Sequence, residues 1–166
     1  MREMGPVRAA AVGAGPARLA VARGAAAGAA AAAVWAALEP LAGRALRTGG
    51  FGDVRLLGRM VPGAGERWPV AGALVHTANG AAFGAAFALA GARGPRDGLA
   101  WAGAEFVATW PGMALIDRLH PDRRSGEWPP LARNPRVIAQ EALMHALFGL
   151  VLGLLTAEPS PRGVRD

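Results

Sequence analysis

The sequence predicts an all-α fold, an integral membrane four-helix bundle built as two repeated helical hairpins. Three observations predict it. Of the 166 residues, 52% are hydrophobic and only 18% charged, with a mean hydropathy of +0.25. Four stretches approach the roughly 20 apolar residues that a helix needs to cross a hydrocarbon core. The 18 basic residues, all Arg, lie between or beyond those stretches or at their ends. A soluble bundle would instead need charged residues along the outer face of each helix.

The elements follow in chain order. Residues 1–17 are expected to be a disordered N-terminus; Gly13-Ala14-Gly15 has no preceding strand and is no nucleotide loop. The membrane domain is expected over 18–157. Its first span, about 24–42, has Glu39 as its one charged residue and Arg18 and Arg23 ahead of it. It is longer than the apolar core of a signal peptide and no convincing cleavage segment follows, so it counts as a span. Leu56 to Val61 reads as a short amphipathic segment lying along the interface. The second span, about 70–91, carries no formal charge and holds His76 and Asn79; the third, about 98–119, contains Glu105 and ends at Asp117 and Arg118. His120 is expected at the interface. The fourth, about 137–157, contains Gln140, Glu141 and His145. Trp68 and Trp128 precede spans two and four, where interfacial aromatics lie. Pro40 and Pro111 free one carbonyl each and are expected to kink their helices. Residues 158–166 form an expected disordered tail.

Charge and composition exclude several functions. A net charge of +6 and a pI near 11.6 first suggest nucleic acid, but the Arg residues flank apolar spans and no aromatic-and-basic stripe is present. The expected partner is a bilayer with anionic headgroups, in a cell membrane crossed several times, with self-association or other membrane proteins beside it and no nucleic acid. Ten Arg on the two long loops against eight on the other side place the loops in the cytoplasm and both termini outside. Without cysteine there is no disulfide or thiolate site, and no nucleotide, hydrolase or zinc-protease motif occurs.

The repeat lies in spans two and four. His76, Gly80 and Gly84 read H-x-x-x-G-x-x-x-G, as do His145, Gly149 and Gly153. Gly65-Glu66-Arg67-Trp68-Pro69 is echoed by Gly126-Glu127-Trp128-Pro129. Spans one and three each carry one Glu and one Pro. Such a duplication relates two hairpins by an axis along the membrane normal. Residues four apart share a helix face, so Gly72, His76, Gly80 and Gly84 form one stripe, and Glu141, His145, Gly149 and Gly153 another. Small residues at this spacing allow close helix crossing. Spans two and four are expected to cross through these glycines.

Six polar residues form the candidate intramembrane site: Glu39, His76, Asn79, Glu105, Glu141 and His145. Ionisable groups are expensive in a bilayer and normally face the bundle interior. The favoured reading is hydrogen-bonded glue between helices with no cofactor, the protein acting by packing with itself or partners, its biochemical activity and catalytic residues unassigned. The alternative is a membrane enzyme or redox carrier. It would use a divalent metal on His76, Glu141 and His145, or haem between His76 and His145. Against a di-iron bundle, Glu141 and His145 are spaced Glu-x-x-x-His and not Glu-x-x-His.

Glu39-Pro40 late in the first span, with the His76 and His145 patterns and their glycines two turns on, resembles small four-span bacterial inner-membrane proteins of uncharacterised families. The resemblance covers about Arg18 to Ala157. It implies location and architecture, and no activity.

Overall fold

The structure, a computed structural model, describes residues 9–158, with side chains from residue 15 onward. The outermost parts of both expected disordered ends lie outside the described residues. Residues 9–17, expected to be disordered, instead belong to the first helix. Among the described residues there is no strand. The elements are α1 (Ala9–Leu46), α2 (Asp53–Met60), α3 (Trp68–Leu89), α4 (Gly94–Thr109), α5 (Met113–Leu119), α6 (Pro121–Arg124) and α7 (Pro135–Thr156). Pro40 leaves α1 helical through Leu46, whereas Trp110-Pro111-Gly112 tightens into a single 3-10 turn between α4 and α5. Each proline lacks an N–H and so removes one rung of the α ladder, but only at Pro111, followed by Gly112, does the helix change its winding.

Four helical segments are long and apolar enough to cross a membrane: Gly15–Leu46, Gly65–Leu89, Gly94–Leu119 and Pro135–Thr156. Their outward faces are apolar, with Leu74 67%, Val107 70% and Leu154 59% exposed. Large aliphatic side chains on every outer face suit lipid and not water. The architecture is that of a multi-pass integral membrane bundle.

α1 packs on α3 and α4 on α7, and α1 against α7 joins the two pairs. Spans two and four therefore do not cross through their glycines. Gly80 and Gly84 lie against Gly28 and Gly24 of α1, while Gly149 and Gly153 lie against Gly98 and Gly94 of α4. A Cβ at any of these positions except Gly94 would run into the facing helix. The reason is a second pair of small-residue stripes. Gly24, Gly28 and Ala32 on α1 match Gly94, Gly98 and Ala102 on α4, so each glycine face meets another small face inside its own pair. Between the pairs the core is larger: Trp35, Phe87, Met144, Phe148 and Leu152 are buried together.

α2 is not laid along the interface. Gly58 sits against the Trp68 carbonyl, and Gly72 against that of Val54, so α2 docks on the first turns of α3. Leu56 is buried beneath it with Phe51, Trp128, Leu131 and Val137 in a second core at the long-loop end. Trp128 is thus an interior residue and not an interfacial one: its Nε1 donates to the Gly50 carbonyl at 3.2 Å, and its ring stacks on His120 with centroids 4.4 Å apart. His120 is wholly buried as well, contrary to its expected interfacial place. Its Nε2–H donates to the Leu56 carbonyl, and its Nδ1 accepts from the Asp122 N–H, each at 3.2 Å. Asp122, also wholly buried, accepts from Arg55 Nε at 2.6 Å and from Arg59 Nε at 3.1 Å. The second pair thereby clamps the short helix that the first pair supplies. Buried Gln140 adds a tie, accepting from Thr48 Oγ1 at 2.6 Å and donating to the Phe51 carbonyl at 3.3 Å.

Candidate functional site

Docking of α2 on α3 carries its first residue, Asp53, into the bundle. There it meets Glu39, near the end of α1, and Glu141, in the second turn of α7. Ligand oxygens of these three carboxylates lie within 4.8 Å of one another. Two unit charges at that separation repel by about 3.5 kcal/mol at an effective dielectric of 20. Three such groups require cations or protons among them.

Each carboxylate is held differently. Glu39 Oε1 accepts from Trp35 Nε1 at 3.0 Å and from the Asp53 N–H at 2.8 Å. Its other oxygen faces Gly52, where a Cβ would stand only 2.6 Å away. Asp53 lies beside His76, with Oδ2 3.6 Å from Nδ1. Burial pushes the Asp53 carboxyl up to about 6, the His145 imidazole opposing the shift and the Glu105 carboxylate adding to it. Glu141 is only 6% exposed, and its Oε1 has no hydrogen-bond partner among the described residues.

The two imidazoles have distinct tasks. A carbonyl accepts only, so His76 Nε2 carries the proton it donates to the Ala32 carbonyl at 3.2 Å, and its Nδ1 faces Asp53. His145 Nδ1 donates in the same way to the Glu141 carbonyl at 2.7 Å. Its Nε2 meets Glu105 Oε2 at 2.7 Å, so a proton lies between those two groups. With both ring nitrogens engaged, His145 is no free metal ligand. Trp35 packs edge-on against both rings, 5.5 Å from His76 and 4.8 Å from His145 between centroids. Bis-histidine haem ligation therefore does not fit this arrangement.

Beside the cluster is a cavity of about 280 Å³. Asp53, His76, Glu105, Glu141 and His145 give it a polar wall, and aromatic rings such as Phe83 and Phe106 form much of the rest. The structure thus gathers Glu39, His76, Glu105, Glu141 and His145 in the half of the bundle nearer the long loops. Asn79 lines the same cavity but is exposed and makes no side-chain hydrogen bond among the described residues. The residue that sequence reasoning missed is Asp53. It lies in a loop by hydropathy, so no buried-charge argument reaches it. One signal was available: Asp53 precedes Asp122 by the same interval that separates His76 from His145.

Fold and site define a multi-pass membrane bundle with an acid–imidazole centre. Compared with known proteins, the chain matches no family model, no curated protein and no solved structure.

Proposed function

We propose that this is an integral protein of the cell membrane whose work is done at the acid–imidazole centre, which binds a positively charged species from the adjoining cavity. The observation that carries this reading is the orphaned Glu141 Oε1 within a three-carboxylate cluster. Helix glue satisfies its polar atoms; that is how it stabilises. A buried carboxylate oxygen without a partner, pressed among like charges, destabilises the empty bundle. Such groups persist where function needs them. Packing remains the task of the glycine stripes. The Arg-rich loops meet anionic headgroups, and the matched Gly24–Gly28–Ala32 and Gly94–Gly98–Ala102 stripes support descent of the two pairs from one hairpin.

The test is thermal unfolding of the chelator-treated chain in detergent. Glu141→Gln removes one charge and supplies an amide donor to the neighbouring carboxylates. An unsatisfied buried polar group costs about 1–3 kcal/mol, so the variant is expected to melt about 3 °C or more above the parent. A lower melting temperature would return the cluster to the glue reading.

A further inference from the structure

We propose that Glu39, Asp53 and Glu141 together ligate one hard divalent cation of the Mg²⁺ or Mn²⁺ class inside the membrane domain. The inference rests on the reading of the centre as a cation site and names the cation.

Four observations converge. First, the three carboxylates come from separate elements, α1, α2 and α7, yet their oxygens fall within 4.8 Å of one another, close enough to share one ion. Second, Glu141 Oε1 is an accepting atom in a residue 6% exposed, and no hydrogen-bond donor among the described residues reaches it. A metal ion is the partner such an oxygen lacks. Third, His76 Nε2 carries the proton given to the Ala32 carbonyl, and its Nδ1 stands 3.6 Å from the Asp53 carboxylate. An imidazole so placed leaves the Asp53 carboxylate facing the other two acids, where a bound cation would balance it. Fourth, the donor set is oxygen-rich and free of thiolate. Carboxylate and water ligands suit Mg²⁺ and Mn²⁺, whereas closed zinc sites draw on Cys and His. Three carboxylates leave octahedral positions for water, and the 280 Å³ cavity adjoins the cluster to supply it.

The surroundings fit the same purpose. Trp35 Nε1 and the Asp53 N–H fix Glu39 through one oxygen and leave the other to a ligand, as hydrogen-bonded metal carboxylates are held. Gly52 leaves room for that second oxygen. Its φ of −176° is ordinary extended backbone, so an alanine there changes the space and not the chain path.

Binding of Mn²⁺ to the full chain in detergent, stripped with EDTA and titrated with MnCl₂ while free Mn²⁺ is read by electron paramagnetic resonance, tests the proposal. The parent is expected to take up one Mn²⁺ per chain, displaceable by Mg²⁺. Glu141→Gln and Glu39→Gln should each weaken binding by about tenfold or more, the scale on which metal sites respond to altered support. Gly52→Ala should also weaken it, because its Cβ displaces the Glu39 carboxylate while the helices stay intact. Gly103→Ala, where a Cβ meets nothing within 4 Å, should bind as the parent does. A parent that takes up no Mn²⁺, or variants that bind as tightly as the parent, would overturn the metal assignment. If Mn²⁺ uptake fails while Glu141→Gln still raises the melting temperature, the metal is wrong and the cation-site reading survives. Failure of both removes both.

Discussion

His120 shows how much one side chain can depend on its protonation state in this molecule. Its Nδ1 must be unprotonated to accept from the Asp122 N–H, and its Nε2 must carry a proton for the Leu56 carbonyl. Burial holds this imidazole below its usual range; the Leu56 carbonyl and Asp122 oppose the shift, and the Arg55 and Arg59 cations reinforce it. A depressed histidine favours the folded state while neutral, so its contribution is full above the ordinary value of about 6.5. It is lost as pH falls through the lower folded value. Between pH 7.5 and 5.5 the melting temperature of the parent should therefore fall relative to that of His120→Asn, which is itself less stable at neutral pH. A difference between the two that stays constant with pH would move this sensitivity elsewhere. At this scale the sequence was informative about charge inside apolar runs. Glu39, Glu105, Glu141 and both span histidines stood out because each interrupts a hydrophobic stretch. Asp53, His120 and Asp122 sit in polar loops, where nothing local distinguishes a buried ionisable group from a solvated one.

Among the elements, the glycine stripes and α2 decide the arrangement. The stripes were visible as four-residue spacings, but their partners were not. In a chain with 40 Ala and 24 Gly, almost any pair of faces can be brought together on paper. The structure selects α1 with α3 and α4 with α7 because small residues face small residues along those pairs. Gly80→Leu should force α1 from α3 and destabilise the bundle by about 1–3 kcal/mol or more, since overpacking of a tight contact is not absorbed. Membrane insertion should persist, because apolar character is kept; unchanged melting would refute the close crossing. α2 was recognised as amphipathic, but its apolar side covers the bundle and not the lipid surface. Its hold on the second pair runs through Asp122. Asp122→Asn should lower stability by about 2 kcal/mol, the size of a charge-assisted hydrogen bond. Equal stability of parent and variant would show that docking of α2 needs no clamp.

For the whole molecule, hydropathy alone gave the four crossings, since each apolar stretch is long enough to declare itself. The order of loops then makes topology testable. Reporters fused after Gly50 and Gly126 should respond from one compartment, and those after Gly94 and Asp166 from the other. Gly50 and Asp166 reporting together would mean an even number of crossings between them and refute the three expected there. The centre is gathered toward the long-loop end of the bundle, where α2 meets α1 and α7. No periodicity could have revealed this convergence, because it depends on a loop helix folding inward over the start of α3.

The clamp on α2 also makes completion of the centre an event in time. A ribosome delivers Glu39 and Asp53 with the first pair of helices, while Asp122 and Glu141 are still to be synthesised. Until the second pair has inserted, α2 has no carboxylate for Arg55 and Arg59, and the cluster has only two of its three acids. A chain halted after the first hairpin therefore lacks the full cluster: the last helix to enter the membrane brings the third carboxylate.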